Sequence, residues 1–127
     1  MKTTEIGAIG EDLAAEYLKN KGFSIVERNY RTHHLELDLI CENETHLLFV
    51  EVKTRTDTGA ISRYGRPGAA VDMKKRAHLT DAALDYLRAY PSEKKTRIDV
   101  IEVYVCRRGA LVTLSPKGIV HIENALI

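Results

Sequence analysis

Two neighbouring apolar stretches of the sequence contain acidic and basic residues at spacings that suit metal-assisted chemistry on a phosphodiester. Asp38 lies in the first stretch, residues 35–41, and Glu51 and Lys53 lie in the second, residues 47–53. The polar residues between the stretches have turn chemistry and nothing to bury, so the pattern predicts two antiparallel strands joined as a hairpin. Such a hairpin would bring the acidic residues and the lysine into one small area.

The length of the hairpin loop determines which residues face each other. With a loop at Asn43–His46, the register begins with Glu42 opposite Leu47. Asp38 then lies opposite Glu51. Opposed side chains of an antiparallel pair have Cβ atoms about 4.5–5.5 Å apart and project from the same face. The same register places Ile40 opposite Phe49 and Glu36 opposite Lys53.

Two adjacent carboxylates in a mostly apolar hairpin require a compensating charge. Like charges directly opposite each other destabilise a sheet, and burying them without a partner is far more unfavourable. Mg²⁺ would remove the conflict between Asp38 and Glu51, because it is held by one or two carboxylates together with water and substrate phosphates. Lys53 could then donate to a phosphate or orient a nucleophilic water. The alternative is that these charges, with Glu36, lie on the solvated face of a half-buried hairpin.

A third carboxylate comes from the first predicted helix. Apolar residues at helical spacing predict this helix from residue 3 or 4 to about residue 21, with Gly22 as a left-handed cap. Gly7 and Gly10 lie on its apolar side, where close backbone packing would compensate for their low helix propensity. Glu11 falls at the edge of the buried face. Its carboxylate either points into a site beside the sheet or reaches water.

Positive charge is concentrated from Lys53 onward. Residues 53–76 contain seven basic and two acidic residues, a local net charge of +5, whereas the whole chain carries +1 and the remainder therefore −4. Residues 54–70 are rich in glycine and are predicted to form a loop. Three cations lie in the first turns of the following helix, where they oppose its macrodipole. Such cations suit contacts with a phosphate backbone, and a solvated surface is the alternative. The candidate nucleic-acid contacts are Arg55, Arg63, Arg66, Lys74, Lys75 and Arg76.

The remaining elements complete an arrangement of helices and strands. Strands are predicted at residues 23–30 and 96–105, and a second helix at residues 71–90. A last hairpin is predicted from residues 110–114 and 119–122 around a Ser-Pro-Lys-Gly turn. The order α, β, β, β, α, β, β, β indicates an α/β or α+β fold with a mixed sheet. The core face of the second helix comprises Leu79, Ala82, Ala83, Tyr86, Leu87 and Tyr90.

An acidic residue, Asp99, lies among the apolar residues of the strand predicted at residues 96–105. The strand is almost continuously apolar, which is typical of a central strand. Asp99 inside it either assists a metal site or pairs with Arg97.

The composition is that of one packed domain. The chain has 127 residues, of which 44% are hydrophobic, and residues 1–127 are predicted to form a single domain. Cys41 and Cys106 lie in apolar strands and are expected to be buried free thiols of a reduced compartment. No apolar run approaches the ~20 residues that span a bilayer, and the first residues lack a signal core. We therefore expect a cytoplasmic protein that does not contact membranes.

Five segments form an ordered set along the chain: GEDLAAEYL at 10–18, RNYR at 28–31, ELDLI at 36–40, FVEVKTR at 49–55 and RIDV at 97–100. This set resembles the YraN-like family, which is similar to the archaeal Holliday-junction resolvases. That family belongs to the restriction-endonuclease-like superfamily, named for its PD-(D/E)-x-K motif. The resemblance extends over nearly the whole chain, and the ordered set is highly specific, whereas Glu-x-Lys alone would occur often by chance.

The resemblance implies an α/β fold with a restriction-endonuclease-like core, in which a central mixed β-sheet is flanked by α-helices. It implies Asp38 and Glu51 as ligands of Mg²⁺ or Mn²⁺, with the backbone carbonyl of Val52 as a third ligand. It also implies Lys53 as the catalytic lysine. Glu11 matches the helix carboxylate of the resolvase-like branch. Asp38 and Glu51 follow from the hairpin register as well, so two arguments meet at these residues.

Two positions depart from the family pattern. Leu35 stands where a glycine commonly precedes Glu36. Leu37 stands where many nucleases of the superfamily have a proline before the acidic residue. Neither change removes a metal ligand.

The resemblance implies a metal-dependent DNA endonuclease that acts on branched or single-stranded DNA. No element resembles a base-reading helix, so recognition of DNA by shape is expected. The alternative from another class is a non-catalytic nucleic-acid-binding or adaptor protein that keeps the nuclease fold. The intact set of Glu11, Asp38, Glu51 and Lys53 counts against that alternative. A two-fold homodimer would present two such sites to a symmetric junction.

Overall fold

Two helices and five strands make up the part of the chain that the structure describes. The structure is a computed structural model, and it describes residues 3–57 and 73–125. Neither of the described helices is both long and apolar enough to cross a membrane. The helices are α1 (Thr3–Asn20) and α2 (Met73–Ala89), and the strands are β1 (Ser24–Thr32), β2 (Leu35–Glu42), β3 (His46–Thr56), β4 (Lys95–Arg108) and β5 (Leu111–Ile122).

The five strands lie side by side in chain order, β1-β2-β3-β4-β5, in one mixed sheet. β3 and β4 run parallel, and every other neighbouring pair is antiparallel. A parallel pair requires a long crossover connection, and α2 lies within this connection.

Each helix covers one face of the sheet. α1 packs through Ala14 and Leu18 against a cluster that includes Val50 of β3 and Ile101 of β4. α2 packs on the other face, against a cluster that includes Phe49 of β3. Consecutive side chains of a strand point to opposite faces, so the apolar run of β3 is buried on both sides. The predicted α/β fold with a central mixed sheet flanked by helices is therefore confirmed.

Glycines determine how α1 ends and how closely it approaches the sheet. Gly22 has a φ of 97°, and the Phe23 N–H closes the last helical turn with a 3.0 Å hydrogen bond, so the predicted left-handed cap is confirmed. A Cβ added to Gly10 would lie 1.8 Å from Thr54 Oγ1, which shows that α1 approaches β3 closely there. Among the described residues, no packing neighbour lies within 4 Å of such a Cβ at Gly7. The predicted close packing is confirmed at Gly10 and wrong at Gly7.

The β2–β3 hairpin has the predicted register where its strands pair. Glu42 lies opposite Leu47, and Ile40 lies opposite Phe49. The Asn43 side chain closes the turn by accepting two hydrogen bonds from backbone N–H groups of the loop. The polar turn and its length thus fix the pairing of the two apolar strands.

Several predicted boundaries are wrong, among them the ends of β1 and β4, which extend to Thr32 and Arg108. β3 extends through residues 54–56, which the sequence assigns to a loop, and residues 58–70 of that predicted loop lie outside the described residues. Tyr90 is 55% exposed because α2 ends at Ala89, before it completes the predicted core face. That core face is confirmed at Leu79, Ala82, Ala83 and Tyr86, which are buried.

The predicted last hairpin is also wrong, because its two halves form the single strand β5. Leu114 pairs with Val105 and Ile119 pairs with Val103. The Ser-Pro-Lys-Gly segment between these pairs is a bulge in β5, with Gly118 at a φ of 66°. A proline is compatible with this position because β5 is an edge strand.

Both cysteines are free thiols. Cys41 is buried in the core under α1, and burial raises the pKa of its thiol to about 12. Cys106 is only partly buried. The expectation of buried thiols is therefore confirmed at Cys41 and wrong at Cys106.

Candidate active site

The pairing of β2 with β3 ends just before the two acidic residues of the hairpin. Its last backbone pair joins Leu39 with Val50, and Asp38 and Glu51 come next. There the Val52 N–H donates to Asp38 Oδ2 at 2.7 Å, so a carboxylate of β2 contacts the backbone of β3. Glu51 is only 5% exposed. The hairpin therefore brings both predicted carboxylates to the point where its strands stop pairing.

The surroundings of Asp38 disfavour its ionised form. Burial, and next the negative charge of Glu51, raise the pKa of the Asp38 carboxyl from 3.8 to about 7, although the hydrogen bond from Val52 lowers it. The charges of Glu11 and Glu36 raise this pKa further. Four carboxyl groups thus influence one another around the point where β2 and β3 stop pairing. A cation between Asp38 and Glu51 would relieve their repulsion.

Two lysines neutralise the Glu51 carboxylate. Lys53 Nζ lies 3.5 Å from Glu51 Oε1, and Lys75 Nζ lies 3.2 Å from the same oxygen. Lys53 follows Glu51 on β3, whereas Lys75 comes from the first turn of α2. Lys75, a predicted nucleic-acid contact, therefore lies at the acidic pair itself.

The predicted pairing of Glu36 with Lys53 is wrong. Glu36 Oε2 lies 3.7 Å from Arg31 Nε on β1, and Lys53 lies beside Glu51. The physical reason is that the regular pairing of β2 with β3 stops before it reaches Glu36.

Glu11 of α1 belongs to the same group of interacting carboxylates. It is partly buried, and burial raises the pKa of its carboxyl. The Arg28 guanidinium lowers that pKa, while Glu36 and Glu51 raise it. With the Asn29 amide oriented so that its nitrogen donates, Nδ2 lies 2.9 Å from Glu11 Oε1. Glu11 is thus at the border of the buried helix face, as predicted, and on the side that faces the other carboxylates.

Asp38 and Glu51 are the donors that a metal ion would use here. Across residues 3–57 and 73–125, no three His, Cys, Asp or Glu side chains converge as a complete metal cage. Mg²⁺ does not require one, because it commonly binds one or two carboxylates and keeps several waters. Mn²⁺ also prefers carboxylate, carbonyl and water oxygens. The donor set therefore fits either ion, and the Val52 carbonyl stays a predicted third ligand.

A further carboxylate beside this site, Glu102 of β4, is missing from the sequence prediction. It lies opposite Lys53 in the parallel ladder and is 1% exposed. Arg55 Nε donates to Glu102 Oε2 at 3.3 Å, and the Tyr104 hydroxyl donates to Oε1 at 3.4 Å. Arg55, a predicted nucleic-acid contact, thus has a buried protein partner. The available signal in the sequence is a second acidic residue, after Asp99, inside the apolar run of β4.

Asp99 belongs to the face of the sheet that α1 covers. It accepts hydrogen bonds from Arg97 at 2.9 and 3.0 Å and from the Asn124 N–H at 2.9 Å. His121 Nε2 lies 2.7 Å from Asp99, and the Tyr17 hydroxyl of α1 lies 2.9 Å from His121 Nδ1. Of the two alternatives for Asp99, pairing with Arg97 is confirmed. The residue ties α1, β4 and the end of β5 together.

Three of the predicted nucleic-acid contacts lie at the start of α2. Lys74 and Arg76 are exposed there. The Lys75 side chain between them is 34% exposed while it pairs with Glu51. Arg63 and Arg66 lie outside the described residues. The exposed first turn of α2 therefore places positive charge next to the acidic pair.

The sequence is similar to other proteins along nearly its whole length. A UPF0102 protein of Syntrophomonas wolfei is 44% identical over 95% of this chain and 96% of the relative. A UPF0102 protein of Alkaliphilus oremlandii is 40% identical over 95% of this chain and 97% of the relative. A UPF0102 protein of Chlorobium chlorochromatii is 46% identical over 97% of this chain and 92% of the relative.

A solved structure and a family model also match. The structure of Pyrococcus furiosus SfsA in complex with Ca²⁺ covers 96% of this chain at 16% identity and a TM-score of 0.33, and the chain spans 64% of that protein. The model of the uncharacterised protein family UPF0102 matches residues 10–103. Since this match and the full-length relatives agree, the chain belongs to the UPF0102 family.

Proposed function

We propose that this protein is a metal-dependent endonuclease that hydrolyses phosphodiester bonds of DNA. The observation that carries the proposal is the position of Asp38 beside buried Glu51 where β2 and β3 stop pairing, with Lys53 Nζ 3.5 Å from Glu51. Two hard oxygen donors and an adjacent ammonium group suit metal-assisted hydrolysis of a phosphodiester. The resemblance to restriction-endonuclease-like proteins supports the same conclusion.

Each residue of the acidic site has a distinct part in this proposal. Asp38 and Glu51 would hold Mg²⁺ or Mn²⁺, which would stabilise charge on the phosphate and lower the pKa of a bound water. Lys53 would orient the attacking water and offset the negative charge that develops on the phosphate. Glu11, at the edge of the site, would accept a hydrogen bond from a water molecule. The Val52 N–H keeps the Asp38 carboxylate in place.

DNA would approach the site from the side on which α2 begins. The exposed cations there, Lys74 and Arg76, would contact phosphates, and such contacts carry no sequence information. We propose the same role for Arg63 and Arg66, and for Arg55, whose side chain is 34% exposed while it pairs with Glu102. Because such contacts read no bases, we propose that DNA is recognised by its shape, and the family resemblance suggests branched or single-stranded DNA as the substrate. A two-fold homodimer would present two sites to a symmetric junction.

One observation favours a second candidate, a non-catalytic nucleic-acid-binding or adaptor protein. Glu51 is neutralised by two ammonium groups at 3.2 and 3.5 Å, so its burial does not by itself demand a metal ion. An adaptor would use the basic first turn of α2 without cutting its ligand.

Cleavage assays separate the two candidates. The purified protein is incubated with linear duplex, single-stranded, flap and four-way-junction DNA in Mg²⁺, Mn²⁺ or EDTA. We expect cleavage only with metal, and a rate loss of about 10²-fold or more for Asp38→Asn and Lys53→Met. Glu36→Gln is the matched control, because it removes a carboxylate of β2 that pairs with Arg31. DNA binding without cutting, equal in all variants, would support the adaptor.

A further inference from the structure

Lys75 makes an ion pair at the candidate metal site that the sequence does not anticipate. Its Nζ lies 3.2 Å from Glu51 Oε1, closer than the 3.5 Å of Lys53. We propose that the Lys75 ammonium group pairs with the Glu51 carboxylate until a divalent ion binds, and that it competes with the ion for this carboxylate. This inference rests on the proposed metal site.

The burial of Glu51 explains why a cation is needed there at all. The Glu51 side chain is only 7% exposed, and a buried carboxylate without a positive partner is strongly unfavourable. Asp38 lies next to it and adds negative charge. Before a metal ion arrives, ammonium groups are the partners that the fold supplies to Glu51.

Lys75 and Lys53 differ in how easily they can leave. Lys53 lies two residues from Glu51 on β3, so it stays near that carboxylate in either state. Lys75 reaches Glu51 from α2, a separate element, and its side chain is 34% exposed, close to the 31% of Lys53, so the difference between the two lies in where each is attached. Such a side chain can move its charged head to water while its stem stays packed. Lys75 is therefore the cation that a divalent ion would displace.

The position of Lys75 on α2 supports a specific role. Cations in the first turn of a helix oppose its macrodipole, so this placement is unfavourable by itself. The contact with Glu51 offsets this cost for Lys75. Lys74, its neighbour in the same turn, is exposed, which makes it a control of the same charge on the same helix.

Titration of Mn²⁺ into the protein without nucleic acid tests the competition. Lys75→Met keeps the length of the stem and removes the charge, and it should bind Mn²⁺ about tenfold more tightly than the wild type, equivalent to about 1.4 kcal/mol. Lys74→Met should change the affinity less than about twofold, because an exposed charge is screened. Equal shifts in both variants, or weaker binding by Lys75→Met, would overturn the inference.

A second measurement uses the wild-type chain and does not depend on how a variant folds. Amine-reactive labelling followed by mass spectrometry should show that saturating Mn²⁺ raises the reactivity of Lys75 and leaves that of Lys74 unchanged. If the protein binds Mn²⁺ but the reactivity of Lys75 does not change, the role of Lys75 is overturned and the proposed metal site stands. A wild-type protein that binds no Mn²⁺ would overturn the proposed function as well.

Discussion

At the scale of single residues, the candidate site works against the stability of the fold. Glu51 is 5% exposed, and the burial of Asp38, followed by the charge of Glu51, raises the pKa of Asp38 to about 7. A carboxyl group whose pKa rises on folding opposes folding once it is ionised. Such a conflict is common at functional sites, where residues are selected for the ligand rather than for stability.

Asp38→Asn should therefore stabilise the protein in the absence of metal. The folded pKa of Asp38, about 7, lies above the unfolded value, so its ionisation destabilises the fold increasingly as pH rises from 3.8 and fully above 7. Asparagine stays neutral and keeps an oxygen for the Val52 N–H. Urea denaturation in EDTA at pH 8 should give a free energy of unfolding about 1–3 kcal/mol above that of the wild type. The gain in the free energy of unfolding should shrink towards pH 4. A gain of the same size at pH 4 and pH 8 would show that ionisation of Asp38 is not its cause.

Asp99 has the opposite pH dependence. Burial alone would raise the pKa of its carboxyl, but the contacts with His121, Arg97 and the Asn124 N–H outweigh burial and lower it. Its stabilisation is therefore fully present above the unfolded pKa and is lost as pH falls through the folded pKa. At pH 7, Asp99→Asn should reduce the free energy of unfolding by about 3 kcal/mol, and the loss should diminish below about pH 4.

The control for Asp99 is Asp12→Asn. Asp12 pairs with Arg28 at 2.6 Å on the surface, with 68% of its side chain exposed. An exposed pair contributes less than about 1 kcal/mol. If both variants lost the same stability at pH 7, the buried network around Asp99 would not have the role assigned to it.

At the scale of elements, the site depends on where α1 and β3 meet. Gly10 allows α1 to approach Thr54 so closely that a Cβ would lie 1.8 Å from the threonine hydroxyl oxygen. Glu11 follows immediately and lies near the other carboxylates. The close approach at Gly10 therefore places the helix carboxylate at the edge of the site.

Gly10→Ala should destabilise the protein, and Gly7→Ala should not. The added methyl group at position 10 would clash with Thr54, a change that costs about 1–3 kcal/mol in a packed interior. At position 7 no packing neighbour among the described residues lies within 4 Å, so alanine should add up to about 1 kcal/mol through its helix propensity. Thermal and urea unfolding measure both variants. Equal effects of the two substitutions would show that the close approach at Gly10 is not a constraint.

The elements also show which features a sequence can and cannot reveal. The register of the β2–β3 hairpin is predictable because its turn and apolar pattern are adjacent in the chain. Two contacts could not be predicted in this way, because they depend on a crossover between parallel strands. Lys75 contacts Glu51. Glu102 lies beside Lys53. The Ser-Pro-Lys-Gly segment has turn chemistry, yet it forms a bulge within one edge strand. Local signals identify an irregularity there but not how the chain continues after it.

At the scale of the whole molecule, charge is distributed unevenly. The sequence carries +5 over residues 53–76 and a net charge of only +1. In the structure, Lys74 and Arg76 are exposed at the start of α2. Lys75 lies between them and contacts Glu51. A phosphate backbone would therefore meet a local basic surface and not a generally basic protein.

DNA binding in EDTA should weaken steeply with salt, and single substitutions should reduce that dependence. Lys74→Met and Arg76→Met should each lower the slope of log affinity against log salt by about 0.7–0.9. Fluorescence anisotropy at several salt concentrations measures the slopes. Lys19→Met is the control, because Lys19 is an exposed cation in the last turn of α1. An equal loss of slope in that control would mean that DNA binding depends on the total charge of the protein and not on the basic surface at the start of α2.

Calorimetric titration of Mn²⁺ shows whether Asp38 and Glu51 together hold a divalent ion. We expect the wild-type protein to bind Mn²⁺, Asp38→Asn and Glu51→Gln to weaken binding by about 100-fold or more, and Glu36→Gln to change it little. Failure of the wild type to bind, or equal affinity in all four proteins, would mean that these two carboxylates do not form a metal site.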